Sequence, residues 1–176
     1  MIHDVAVAIR RMQSENKIRT AMTVDCDVHQ GNGTAAIFAR DDNVLTLSIH
    51  QENNYPFLKP ASTIDVNLPD GVGDDVYVSI LDEHLRQAFS DFSPQLIFYI
   101  AGADPYREDQ LGGLALTKEG LARRDDLVMD YAGRHRCPLA ITQAGGYARR
   151  VEDTVRINVG TILAARDAAE KRSGAH

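Results

Sequence analysis

Apolar and polar positions follow two periods along this 176-residue chain, and the switches between them mark its elements. A short apolar run with few interruptions reads as a strand buried on both faces. Apolar residues every three or four positions read as one face of a helix. On this pattern a helix over 5–12 opens the chain, with Val5, Ala8, Ile9 and Met12 as its stripe and Asp4 as its cap. A strand over 19–25 follows, then a short helix over 33–39, a turn at Asp41-Asp42-Asn43 and a second strand over 44–50. The loop over 51–60 carries Tyr55, Phe57 and two prolines. Residues 62–68 alternate as a short strand, with Ile64, Val66 and Leu68 on one side. Asp74 or Asp75 caps a long helix to 89, and Val76, Ile80, Leu81, His84, Leu85 and Ala88 lie near one face of it. The most apolar strand runs over 95–101 and breaks at Gly102-Ala103-Asp104-Pro105. Thr117, with Gly120 in reach, opens a helix to 134. A strand over 138–143 and a helix over 152–169 complete the chain, and the tail after Lys171 is expected to fray.

Strands alternate with helices, and the central strands are apolar on both faces. That order predicts an α/β fold, a mostly parallel sheet with helices on both sides. The absence of internal repeats, low-complexity segments and linkers makes residues 1–176 one expected domain. In such sheets ligands bind at the carboxyl ends of the strands, so those ends are where chemistry is to be sought.

Composition narrows the classes. An apolar fraction of 44% with 25% charged residues describes an ordinary globular chain. A formal net charge of −6 argues against nonspecific nucleic-acid binding, which draws on Lys and Arg. The two cysteines, Cys26 and Cys137, form neither a Cys-x-x-Cys pair nor a disulfide framework. A reducing cytoplasm is the expected compartment. The apolar stretches are too short to span a membrane, and no signal peptide is visible at the start.

Three strand ends carry chemistry. The first gives Asp25, Asp27 and His29, whose alternate spacing puts them on one face of an extended backbone. The next gives Gly102-Ala103-Asp104, and the last Gly145-Gly146-Tyr147. If these ends are neighbours, Asp27, His29 and Asp104 converge on one divalent ion. Two carboxylates and a neutral imidazole balance its charge and leave positions for water and substrate. Taken singly, Asp104 also fits a plain turn ahead of Pro105. Tyr147 offers a phenol donor for an oxyanion, or a ring that packs with its hydroxyl in water. Backbone carbonyls near Ser48 and His50 can join Asp25 around a monovalent cation, or Asp25 can simply hold a backbone turn. His50 reads as a ligand or base, or as a satisfied strand-end residue, and His3, His84, His135 and His176 as surface or helix-face residues. There is no Gly-x-Ser-x-Gly elbow, Gly31-x-Gly33 lacks a dinucleotide fingerprint's third glycine, and Cys26 between two aspartates is a poor thiolate.

Several motifs resemble the histone deacetylase superfamily, which includes acetoin-utilisation proteins and acetylpolyamine amidohydrolases. They are Asp25-Cys26-Asp27-Val28-His29-Gln30-Gly31-Asn32-Gly33-Thr34, Val44-Leu45-Thr46-Leu47-Ser48-Ile49-His50, Ala101-Gly102-Ala103-Asp104-Pro105, Asp109-Gln110-Leu111-Gly112, Leu116-Thr117 and Gly145-Gly146-Tyr147. The resemblance implies the arginase-deacetylase fold and a zinc ion, or iron(II), on Asp27, His29 and Asp104. It implies oxyanion stabilisation by Tyr147, and a potassium site of Asp25, Asp27 and His29 with backbone at Ser48 and Ile49. Tyr55, Gly145 and Gly146 would line a substrate channel. The substrate would be acetyl-lysine or another N-acetylated amine. Two departures stand out. Gln30 replaces a second histidine common in relatives, and the tandem His pair that serves the family as general base occurs nowhere in the chain. The expectation is therefore a domain lacking its amino-terminal part, with a raw sheet edge through which copies can associate. Three functions compete: a zinc amidohydrolase, a catalytically weak binding module, and an arginase-like enzyme. The last wants a two-metal cluster with more ligands than the sequence offers.

Overall fold

In a computed structural model, residues 3–173 are described; Met1, Ile2 and residues 174–176, including His176, lie outside them. Ten elements follow, strands and helices alternating except that β3 succeeds β2 directly: α1 (Asp4–Ser14), β1 (Ala21–Asp25), α2 (Asn32–Phe38), β2 (Val44–Gln51), β3 (Ile64–Leu68), α3 (Asp74–Asp91), β4 (Ile97–Ala101), α4 (Lys118–Arg134), β5 (Leu139–Gln143) and α5 (Val151–Ser173). All five strands are parallel, in the order β3-β2-β1-β4-β5. The fold class expected from the sequence is the one observed.

Alternate strand residues feed two apolar layers. Met22 and Val24 of β1, Ile97 and Tyr99 of β4, and Leu45 and Leu47 of β2 pack with Leu81 and Leu85 of α3, Leu121 and Val128 of α4, and Ile157 of α5. On the other face Ala21, Val44 and Phe98 meet Val5 and Ile9 of α1 and Phe38 of α2. Every residue of β1 and β2 is buried. At the sheet's edge, β5 is only half-covered.

Several boundaries differ from the sequence pattern, each for a local reason. β1 begins at Ala21 rather than Arg19 because the Gln95 side-chain oxygen takes the N–H groups of Arg19 (2.5 Å) and Thr20 (3.2 Å). β3 begins at Ile64 rather than Ser62 because Thr46 and Thr63 exchange backbone-to-hydroxyl bonds where ladder bonds would stand. The cap of α1 is His3, not Asp4: its Nδ1 accepts from Ala6 N–H at 3.2 Å. Neither Asp74 nor Asp75 caps α3, whose N-cap is Gly73. Asp74 instead accepts from Thr117 N–H (2.8 Å) and Thr117 Oγ1 (2.6 Å), tying the starts of α3 and α4. The buried stripe of α3 runs through Tyr77, Leu81, Leu85 and Ala88, and Val76 is exposed. α5 continues past Ala169 to Ser173. Thr117 caps α4 as expected, accepting from Gly120 N–H at 3.0 Å.

Candidate metal centre

Parallel pairing puts the carboxyl ends of β1, β4 and β5 side by side. Cys26 N–H donates to Ile100 O (3.0 Å), carrying the β1–β4 ladder one step past the strand. Ala103 N–H donates to Gly145 O (2.6 Å), joining the loops after β4 and β5. Three segments that are distant in sequence therefore meet at one rim.

β1 stops at Asp25, and the next residues bend. The extended spacing expected through His29 does not persist, and the bend makes the convergence. Asp27 Oδ1 accepts from His29 N–H (2.9 Å) and lies 3.1 Å from His29 Nδ1. Asp104 Oδ2 lies 3.5 Å from the same ring nitrogen. Asp104 Oδ1 accepts from Val28 N–H at 2.9 Å, so a loop after one strand fixes the carboxylate after another. One donor atom from each of Asp27, His29 and Asp104 lies within 4.8 Å of the others. Asp25 stays outside this group: its Oδ1 accepts from Asp27 N–H at 3.1 Å and holds the turn.

Two glycines permit the approach. A Cβ on Gly102 would lie 2.6 Å from Asp27 Cα. One on Gly145 would overlap Asp104 Oδ2 and stand 2.9 Å from Asp27 Oδ2, which also accepts from Gly145 N–H at 2.8 Å. Gly146 faces Thr154 and Ala103 instead.

The electrostatics are those of a cation-seeking site. Burial pushes Asp104 up to about 6, helped by the charge of Asp27 and opposed by hydrogen bonds from His29 and Val28 N–H. Hydrogen bonding to Asp104 and then to Asp27 raises His29 to about 10, against burial. Burial works upward on Asp27 too, but hydrogen bonds from the His29 ring, His29 N–H and Gly145 N–H bring it below its ordinary value. A protonated His29 ring thus offsets two close carboxylates. Asp104 Oδ2 is buried, and the His29 ring nitrogen at 3.5 Å stands at the outer limit of hydrogen-bonding distance from it. A divalent cation fits that weakly held oxygen and would displace a proton from His29.

The remaining sequence candidates are placed as follows. Tyr147 is more than half exposed. Its two preceding glycines do not leave it loose: Tyr147 N–H donates to Asp109 Oδ2 (2.6 Å), and its carbonyl accepts from Gln110 N–H (3.1 Å) and Gln110 Nε2 (3.0 Å). β1–β2 register sets Asp25 opposite Ser48, with Ile49 next to it in the sheet. Burial, then the charge of Asp27, raises Asp25 well above the usual carboxylate range. Tyr55 is exposed on a loop whose Asn54 Nδ2 donates to Leu111 O (2.9 Å). Gln30 donates to Pro60 O (2.7 Å) and Asp65 Oδ1 (2.9 Å), so it pins that loop. Cys26 is fully buried, and burial pushes its thiol up to about 12, more than its acidic neighbours do.

His50 is buried between Ser48 Oγ and Asn67 Oδ1, each at 3.0 Å; the amide oxygen can only accept, so Nε2 carries the proton. His3, read from the sequence as a surface residue, uses both ring nitrogens: with Nδ1 accepting, Nε2 donates to Thr34 Oγ1 at 3.0 Å. His84 bonds Ile80 O, and His135 stacks on Phe89.

Asp109 and Arg124 were not assigned roles from the sequence. Asp109 accepts from Leu111, Gly112 and Tyr147 N–H groups, joining two loops of the rim. Arg124 and Asp125 are buried side by side on α4. The readable signal was a charged pair on the apolar stripe of Leu121 and Val128.

A model of the histone deacetylase domain matches residues 1–162. An uncharacterized protein of Picosynechococcus is 42% identical over 167 residues, covering 95% of this chain and 56% of that relative. A probable deacetylase of Archaeoglobus fulgidus is 32% identical over 93% of this chain and 48% of its own length. For a histone deacetylase-like amidohydrolase of Pseudomonas aeruginosa the figures are 31%, 82% and 41%. A solved histone deacetylase homologue from Aquifex aeolicus superimposes with a TM-score of 0.80 at 22% identity, over 96% of this chain and 46% of that one. The chain spans about half the length of the curated relatives it matches. By its domain match and its relatives, the chain belongs to the histone deacetylase family.

Proposed function

We propose that residues 1–176 form a single deacetylase-like domain that binds zinc through Asp27, His29 and Asp104 and hydrolyses acetyl-lysine, or a similar N-acetylated amine, to release acetate. The observation that carries this reading is the buried Asp104 carboxylate with a donor atom within 4.8 Å of donor atoms on Asp27 and His29. Iron(II) suits the same donors. A divalent ion held there would acidify water and polarise a carbonyl. The protein's own parts are to hold the two carboxylates and the imidazole in place and to steady developing negative charge with the Tyr147 phenol. Tyr55, Gly145 and Gly146 line the approach of the acyl chain. Asp25, Asp27 and His29 with backbone oxygens of Ser48 and Ile49 hold potassium. The net charge of −6 argues against nucleic acid as partner. Among the described residues no helix is long and apolar enough to cross a membrane, and the cytoplasm is the proposed compartment. Copies associate through the open edge of β5.

A second reading rests on a specific observation. The chain has no tandem His pair, and His3, His50, His84 and His135 are engaged elsewhere. General acid–base help is worth about 10²–10⁴-fold in rate. Without it the chain acts as a metal-dependent binding module for an acylated ligand or a partner.

One assay separates the two readings. Purified chain with added zinc is tested on a fluorogenic acetyl-lysine peptide beside Asp104→Ala and Tyr147→Phe. Hydrolysis predicts turnover in the wild type, loss of zinc and turnover in Asp104→Ala, and a fall of about 10²–10³-fold in Tyr147→Phe. Zinc bound without turnover favours the binding module. Equal turnover in all three proteins removes the deacetylase reading.

A further inference from the structure

Beneath the metal centre lies a charge that neither reading uses. Arg124 is completely buried in α4. An unpaired guanidinium there would carry a large desolvation penalty, so its partners show what it does. Nε and Nη2 both donate to Asp125 Oδ1, at 2.9 and 2.8 Å. Nη1 turns the other way and donates to Gly102 O at 2.6 Å and to Cys26 O at 3.4 Å. Those carbonyls belong to the peptide groups just past β1 and β4, next to Asp27 and two residues before Asp104. Asp125 is anchored in turn by the Tyr99 hydroxyl of β4 and the Thr161 hydroxyl of α5, each at 2.5 Å.

We propose that Arg124 is a positioning residue: its guanidinium clamps the carbonyls of Cys26 and Gly102 and so sets the spacing of Asp27 and Asp104 for the ion. This rests on the metal-centre reading above. The spacing needs enforcing because the two carboxylates repel, and because Gly102 meets Asp27 with no room for a Cβ. Charge-assisted bonds to carbonyls are about twice as strong as neutral ones. The planar fork serves Asp125 with one edge and the carbonyls with the other. A lysine ammonium at the end of a flexible stem cannot hold both.

The test reads metal binding, not turnover. Zinc affinity is measured by competition with a chromogenic chelator, and the visible spectrum of the cobalt(II)-loaded protein reports ligand geometry. Arg124→Lys is compared with Tyr99→Phe and Thr161→Val, which loosen Asp125 but leave Nη1 on its carbonyls. The expected result is zinc affinity about 10–100-fold weaker in Arg124→Lys, the range for groups that orient metal ligands, with altered cobalt bands. Tyr99→Phe and Thr161→Val keep the wild-type spectrum and affinity whatever they do to the urea midpoint. Should Arg124→Lys fail to fold, the double variant Arg124→Gln/Asp125→Asn removes both charges together, and the same loss of affinity is expected. Wild-type affinity in a folded Arg124 variant overturns the clamp. So does an equal loss in Tyr99→Phe, which would make the network ordinary core. A wild-type chain that binds no zinc overturns the metal reading itself.

Discussion

Gly145 is the residue on which the proposed metal centre is most sharply testable. Its N–H holds Asp27 Oδ2, and any side chain it carried would collide with Asp104 Oδ2. Gly145→Ala must spread the two carboxylates or displace the loop after β5. The expected outcome is zinc affinity about 10–100-fold weaker by chelator competition. Gly133→Ala is the control: its Cβ meets nothing within 4 Å, and alanine in a helix gains about 0.5–1 kcal/mol. Wild-type affinity in Gly145→Ala would show that Gly145 does not set the spacing of the two carboxylates. The three converging residues were legible because Asp, Asp and His stand at strand ends in a parallel fold. The glycine's part was not, since nothing in a Gly-Gly pair says which neighbour presses against it. Gly145 abuts two carboxylates, while Gly146 faces Thr154.

Among the elements, α4 was the easiest to read and α3 among the hardest at its start, and one bond network explains both. Thr117 accepts from Gly120 N–H, a local cap with a local signature. Its hydroxyl and N–H also donate to Asp74, 43 residues away, so the acid that looked like a cap for α3 is spent on α4. Long-range partners of this kind also set the true starts of β1 and β3, through Gln95 and Thr46, and no local pattern announces them. Thr117→Ala removes the cap and leaves Asp74 short of a donor. The expected cost is about 0.5–2 kcal/mol in urea unfolding, the usual span for a lost N-cap. Thr117→Ser keeps both bonds and should recover most of it. An unchanged midpoint in Thr117→Ala would show that the junction of α3 and α4 carries no stability.

For the whole molecule the question is what its open side does. β5 has a sheet neighbour, β4, on one side only among the described residues. α5 lies beside it, where Leu139 and Ile141 share a small cavity with Ala165 and Ala168. The buried face of α5 carries Asp153, Ile157 and Thr161, four apart. The outward face carries Val151, Val155, Val159 and Leu163, also four apart and between 68% and 44% exposed. A parallel sheet normally has both faces covered, and an unpaired edge templates another strand. An identical edge on a second copy is always present at the protein's own concentration, which makes self-association the expected outcome. Each copy carries −6, so charge opposes the contact and apolar area must drive it. Association should therefore tighten as salt screens the repulsion, where a contact built on ion pairs would loosen. Sedimentation velocity across a concentration series, at low and high salt, reads both effects. Val155→Asp with Val159→Asp should give a monomer with an unchanged far-ultraviolet circular dichroism spectrum. A wild type that sediments as a monomer throughout would leave the edge without this role.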